Sequence, residues 1–178
     1  MGAVPRDPRG GAETPTLRPA TPADAPAIAA IWNPIIRDSA ITFWPTSRSD
    51  ADIAGLIADR QGAGQAFMVA CGANGVLGFA SYAQFRAGAG YARAMEHTIH
   101  VAPDQRGSGV GRALMRAIED HATAAGAHVM IGAITGDNLS SREFHRRIGY
   151  AEWGLIPQVG WKFERFHDLV LMGKLLGG

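Results

Sequence analysis

Seven consecutive residues, Arg106-Gly107-Ser108-Gly109-Val110-Gly111-Arg112, carry the most legible chemistry in the sequence. Glycines alternate with a serine and a valine, an arginine stands at each end, and an apolar run follows. Glycine lets a backbone approach a ligand without a Cβ in the way. The amides of such a loop, the positive end of the helix behind it and two guanidinium groups make a site for an anion, phosphate above all. Two common phosphate loops do not fit. A P-loop requires Lys and then Ser or Thr after its last glycine, where this chain has Arg112-Ala113. The dinucleotide fingerprint requires G-x-G-x-x-G, where this chain has G-x-G-x-G.

Upstream, Glu96-His97-Thr98-Ile99-His100 puts three ionisable side chains within five residues. On a strand, the i, i+3 spacing of His97 and His100 sends them to opposite faces, so they do not form a metal pair, and no metal is expected. The one cysteine, Cys71, excludes an internal disulfide framework and a cysteine-ligated zinc site. It fits a reducing, cytoplasmic setting. A covalent role for it is set aside, because it lies in an apolar strand with no base nearby in sequence.

These residues need elements to position them. Residues 110–125 form the clearest helix, with Val110, Ala113, Leu114, Ala117, Ile118 and Ala122 on one face and Gly126 as a C-cap. MEHTIHV before the loop is a strand. Thr21-Pro22-Ala23-Asp24 starts a helix whose apolar face holds Ile28, Ile31, Trp32 and Ile35. Pro34 should kink or break it. A second helix follows Ser49. AFMVAC and VLGFASYAQF read as strands around an Asn74-Gly75 turn. AHVMIGAI is a buried strand, SSREFHRRI a short helix, and two strand-like runs close the chain. Strands outnumber helices and mostly neighbour one another, which argues for a mixed α+β sheet rather than a doubly wound one.

The chain has 178 residues, enough for one domain: a flexible tail over residues 1–15, then a single domain over 16–178. Formal net charge is +1, so bulk electrostatics favours neither nucleic acid nor a membrane as a partner. The N-terminus lacks the apolar core of a signal peptide, and Arg6 stands where myristoylation wants Ser or Thr.

The loop from Arg106 to Gly111 resembles the pyrophosphate loop of the GNAT acyl-CoA N-acyltransferases, and the resemblance runs from Leu17 to Leu176. It implies a GNAT fold: a twisted mixed β-sheet, splayed between strands 4 and 5 and flanked by helices. Acetyl-CoA as co-substrate would lie in the splay, its pyrophosphate on Arg106, Gly107, Ser108, Gly109, Val110, Gly111 and Arg112. Its pantetheine arm would take backbone bonds from Ile99, His100 and Val101. Asn138 matches a cofactor-contacting asparagine, and also suits a helix cap.

EHTIHV, NLSSREFHRRIGY and PQVGWKFERFHDLVLM resemble the phosphinothricin / methionine sulfoximine (sulfone) acetyltransferase branch. That resemblance implies a homodimeric enzyme that acetylates the α-amino group of small amino acids with a polar, tetrahedral side-chain head. Such an amine, with a reference pKa of about 8, must lose a proton before it attacks. The resemblance makes Glu96 the general base and gives His145, where many relatives carry tyrosine, a role in relaying protons or orienting water. It assigns the substrate pocket to Phe43, Arg86, Tyr91, Arg93, His97 and Thr98, with Trp44 beside Phe43. Arg86 matches the branch, but Ala92 intervenes between Tyr91 and Arg93 and displaces the second clamp arginine by one place. Other acceptors therefore stay open, namely a peptide N-terminus, a polyamine or an antibiotic. So does a non-catalytic CoA-binding module, against which Glu96 and His145 argue. Lys162 and Asp168 fit the C-terminal signature, Glu164 and Phe166 depart from its usual glycine and tryptophan, and Trp161 suits core or dimer packing.

Overall fold

The computed structural model describes residues 15–177. The expected tail lies outside them apart from Pro15, as do Met1, Gly2 and Arg6. The elements are β1 (Thr16–Pro19), α1 (Ala25–Asp38), α2 (Asp50–Gly62), β2 (Phe67–Gly72), β3 (Gly75–Gln84), β4 (Ala94–Val101), α3 (Val110–Ala124), β5 (Val129–Thr135), α4 (Leu139–Arg147), β6 (Ala151–Lys162) and β7 (Arg165–Leu175). They build one seven-stranded sheet in the order β1-β2-β3-β4-β5-β7-β6. Only β4 and β5 are parallel, so the sheet is mixed and the class is α+β, as the strand-rich order implies.

Local signals explain the helix starts. Asp24 accepts hydrogen bonds from the Thr21 amide (2.7 Å) and hydroxyl (3.0 Å), and Arg18 grips both its oxygens at 2.7 Å. Ser49 and Asp52 close a capping box on α2. Pro34 does not break α1, which runs unbroken to Asp38. The proline leaves the Ala30 carbonyl without its N–H partner, but both residues are exposed, so that carbonyl turns to water. Ile31, Trp32, Ile35 and Ile36 stay buried on the other side and hold the helix in place. The β2–β3 hairpin forms with Ala73-Asn74 as its turn, and Gly75, at φ 114°, opens the next strand.

The sheet is covered on both faces. Ile28, Trp32, Ile36, Ile53 and Ile57 of α1 and α2 pack with Phe67, Val69 and Phe79 on one side. Val110, Leu114, Met115, Ile118 and Ala122 of α3 pack with Ala80, Tyr82, Met130 and Met172 on the other. The faces of β4 alternate accordingly. Met95, Ile99 and Val101 join the α3 core, while the His100 ring packs on Trp32 and Phe79. His97 and His100 therefore do lie on opposite faces.

The sheet comes apart at one place. β4 and β5 pair only at Ala94↔Val129, Met95↔Met130 and Glu96↔Ile131. Beyond Glu96, β4 stays with β3 as far as Val101, and β5 stays with β7 as far as Thr135. The two strands separate into a wedge, the splay expected between strands 4 and 5.

Candidate active site

Each lip of the wedge carries unpaired peptide groups, and strand alternation says which. The Ala102 amide donates to the Leu77 carbonyl and the Phe85 amide to the Ala94 carbonyl. In an antiparallel ladder this directs the main chain of residues 96, 98 and 100 toward β3. The main-chain groups of His97, Ile99 and Val101 then face β5, from which β4 parts beyond Glu96. Of the three expected backbone positions, alternation keeps Ile99 and Val101 for the wedge and commits His100 to the β3 ladder. On the opposite lip, the Gly136 amide donates to Asp168 and the Leu176 amide to His128. The same rule turns the Ala133 peptide groups into the wedge.

The glycine loop stands at the end of the β4 lip. Gly107 and Gly109 have φ of 82° and 94°, and α3 starts at Val110. Its first internal bond runs from the Ala113 amide to the Gly109 carbonyl at 3.0 Å, so the amides of Val110, Gly111 and Arg112 have no partner within the helix. Arg106 and Arg112 are exposed, whereas the Ser108 hydroxyl turns back to the Gln105 carbonyl at 2.6 Å. Gly111 lies against the Phe144 ring and Val101, so the loop, the β4 lip and α4 meet there. Unpaired amides and fixed cations at a helix N-terminus suit a pyrophosphate, and the bare strand edge suits an amide-bearing arm.

A cavity of about 540 Å³ fills the wedge. Phe43, Trp44, Glu96, His97, Thr98, Ile99, His100, Asn138 and His145 line it, which brings together nine residues singled out from the sequence. A smaller cavity of about 180 Å³ shares Glu96 and Thr98 with it. Burial pushes the Glu96 carboxyl above its ordinary value, with no compensating cation. Burial also lowers His145 and His97, and His100 to about 4. Asn138 caps α4, accepting from the Ser141 amide at 3.2 Å, while still lining the cavity. The His97 imidazole stands directly over Gly132, whose missing side chain makes the room.

The wall made by residues 40–45 is pinned from several directions. Thr135 Oγ1 donates to the Ala40 carbonyl at 2.6 Å. The buried Lys162 ammonium donates to the carbonyls of Ile36 and Thr42 at 2.5 and 2.7 Å. It thereby satisfies an orphan carbonyl at the end of α1. Phe43 lies on Gly160 and stacks on His167. Asp168 accepts from the Gln158 amide at 2.8 Å, so both Lys162 and Asp168 serve local architecture. Arg48, passed over in the sequence, lies between Trp32 (4.7 Å) and Trp44 (4.2 Å), and both rings line the cavity.

Arg86, Tyr91 and Arg93 are not brought to either cavity. All three are exposed on the segment between β3 and β4. The Arg93 carbonyl instead accepts from the His128 and Val129 amides, which starts the parallel pairing. Trp161 is exposed against Phe166 rather than in the core. Trp32, read from the sequence only as part of an apolar helix face, lines the main cavity too, with Ala133, Thr135 and Ser141, which the sequence did not single out. They arrive from three elements that only the fold brings together. Among the described residues no group of three or more His, Cys, Asp or Glu could hold a metal, and no helix is long and apolar enough to cross a membrane.

Known proteins share this architecture. The profile of the acetyltransferase (GNAT) family matches residues 30–150. The chain is 39% identical to an L-methionine sulfoximine/L-methionine sulfone acetyltransferase of Pseudomonas aeruginosa, over 88% of this chain and 92% of that one. It is 36% identical to an L-amino acid N-acyltransferase of Escherichia coli, over 88% and 91%. Among solved structures it is similar to a GNAT superfamily phosphinothricin acetyltransferase from Sinorhizobium meliloti in complex with AcCoA. The TM-score is 0.87 at 33% identity, covering 93% of this chain and 90% of that one.

Proposed function

Because the chain belongs to the acetyltransferase (GNAT) family, we propose that it transfers acetyl from acetyl-CoA to the α-amino group of a small amino acid or analogue, such as methionine sulfoximine, methionine sulfone or phosphinothricin. One conjunction carries this reading: the unpaired β4 edge at Ile99 and Val101 runs from the orphan amides of the glycine loop to the half-buried carboxyl of Glu96.

Acetyl-CoA, when bound, would supply the thioester carbonyl that the amine attacks; the C–N bond forms, the C–S bond breaks, and coenzyme A departs as a thiolate that needs little acid help. The amides of Val110, Gly111 and Arg112, with Gly107, Gly109 and the Arg106 and Arg112 guanidiniums, hold its pyrophosphate. The Ile99 and Val101 peptide groups hold its arm, and a β4 amide polarises the carbonyl oxygen. Glu96 takes the proton from the substrate ammonium, directly or through one water. A carboxyl held above its ordinary pKa by burial is a better base than an exposed one. Phe43, His97 and Thr98 shape the acceptor end, while His145 acts through His97. The one cysteine supports a reducing, cytoplasmic setting.

The same reading includes a homodimer. β6 is an edge strand, and the β6–β7 hairpin exposes Trp153, Leu155, Val159, Trp161, Phe163 and Phe166. A monomer rarely leaves so many large apolar groups on one hairpin. Light scattering should give twice the chain mass.

A thiol-release assay with acetyl-CoA tests the acceptor. The panel is methionine sulfoximine, methionine sulfone, phosphinothricin, ordinary amino acids, a polyamine and a short peptide. Turnover confined to the tetrahedral-headed amino acids supports the proposal. Turnover on the peptide or polyamine alone overturns the acceptor while leaving the transferase.

A further inference from the structure

The wall of the main cavity includes a ring that the core does not hold. Trp44 lines the cavity yet is 53% exposed. Thr135 and Lys162 fix the main chain of the same segment at Ala40 and Thr42, and His167 stacks on Phe43. The Trp44 indole instead meets Arg48, whose guanidinium carbon stands 4.2 Å from the ring centroid. The same carbon stands 4.7 Å from the centroid of Trp32. Trp32 is 4% exposed and packs on Phe79 and His100. One guanidinium thus joins a loose indole to a fixed one.

Arg48 is delivered to that place by α1. Asn33, next to Trp32 in the chain, donates from Nδ2 to the Arg48 carbonyl and accepts the Arg48 amide at Oδ1, both at 2.9 Å. The Arg48 side chain has no competing task. Among the described residues its guanidinium makes no ion pair and no hydrogen bond, and its Nε is buried without a partner. Asp52, four residues on, is engaged in the Ser49 cap. A planar cation over an aromatic face is attracted by the ring's negative centre, more strongly where water is excluded. The faces of the two indoles are therefore what this arginine binds. Trp44 directly follows Phe43, which shapes the acceptor end, so its ring offers a surface to the acceptor beyond the α-carbon. An amino acid with a long side chain gains contact there.

We propose that Arg48 is a positioning residue that sets acceptor specificity: it holds the Trp44 indole in the cavity wall, where the ring packs on the acceptor's side chain. The role rests on the α-amino-acid reading above and leaves the α-carboxylate to other residues.

Arg48→Met keeps a flexible stem and removes the cation, while Trp44→Ala removes the ring. Thiol release gives kcat and KM for acetyl-CoA and for the best amino-acid acceptor of the panel, methionine sulfone on this reading. The proteins are wild type, both single variants, the double variant and Arg48→Lys. Arg48→Met should raise the acceptor KM by about 10-fold, with kcat and the KM for acetyl-CoA near wild type. Trp44→Ala should raise it at least as much. The double variant should be no worse than Trp44→Ala, because Arg48 acts through that ring. Arg48→Lys, still a cation, should restore part of the loss. KM does not depend on how much of a preparation is folded. Three results would overturn the Arg48 assignment and leave the acceptor class standing: an unchanged acceptor KM in Arg48→Met, a matching rise in the KM for acetyl-CoA, or single effects that multiply in the double variant. If wild type turns over only the peptide or the polyamine, the α-amino-acid reading falls and the Arg48 role falls with it.

Discussion

The Nε2 atoms of His97 and His145 lie 3.2 Å apart, with their rings stacked at 5.0 Å and 13° from parallel. The hydrogen-bond network assigns their protons. His145 Nδ1–H donates to the Ser141 carbonyl at 2.7 Å, so the neutral ring has a bare Nε2. That nitrogen accepts from His97 Nε2–H, which leaves His97 Nδ1 bare, buried and without a partner among the described residues. Tyr150 stands edge-on to both rings. A proton added at His145 Nε2 would face the His97 N–H. The pair is built to stay neutral and to plug the point where β4 leaves β5.

That neutrality sets a pH dependence of stability. Burial lowers His97 and His145, and lowers His100 to about 4. The unfolded chain protonates these groups near pH 6.5 while the folded one does not, so it binds more protons and stability rises with pH there. Each of these histidines should remove about 1.4 kcal/mol per pH unit as pH falls below about 6.5, for His100 down to about 4. Glu96, raised when folded, acts in the opposite sense above its unfolded value of 4.5, so Glu96→Gln should steepen the fall. Urea midpoints at pH 7.5 and 5.5 read this directly, and equal midpoints would sink the neutral pair.

Glu96→Gln should lower kcat by about 10²- to 10⁴-fold, the usual worth of a positioned base, while acetyl-CoA affinity by calorimetry stays near wild type. In the wild type, kcat/KM for an amino acid should rise with pH through the raised Glu96 carboxyl and the amine. Full turnover in the variant, or a flat profile from pH 6 to 9, would remove the base from Glu96.

Gly109→Val should weaken acetyl-CoA binding for two reasons. Gly109 holds φ of 94°, which a β-branched residue resists. No atom lies within 4 Å of a Cβ built there, so the new side chain would project into open space beside the loop amides. An unchanged dissociation constant by calorimetry would mean the phosphates bind elsewhere.

The turn between β6 and β7 stores removable strain. Phe163 and Glu164 have φ of 51° and 58°, as a two-residue hairpin loop of this hand requires. Glu164→Gly should raise stability by about 1 kcal/mol. A urea midpoint that stays put or falls would contradict this.

Much of this was legible because the signals are local. The alternation of EHTIHV, the caps at Thr21 and Ser49 and the glycines before Val110 act over a few residues, through sterics and short hydrogen bonds. They were enough to read the element order, the mixed sheet and the anion loop. Pro34 marks the limit of local rules: propensity argues for a break, yet the buried isoleucines around it keep α1 whole.

The sequence by itself determined that an anion-binding loop follows a strand carrying Glu96, within an α+β chain of about eleven elements. The tertiary structure alone decided who meets whom. His97 and His145 are 48 residues apart, and Arg60 of α2 lines the smaller cavity with Glu96, while Arg86 and Arg93, near Glu96 in sequence, are exposed. Period and capping are written in neighbouring residues. Where two strands part, and which side chains face each other across the gap, depends on register and packing summed over the whole sheet.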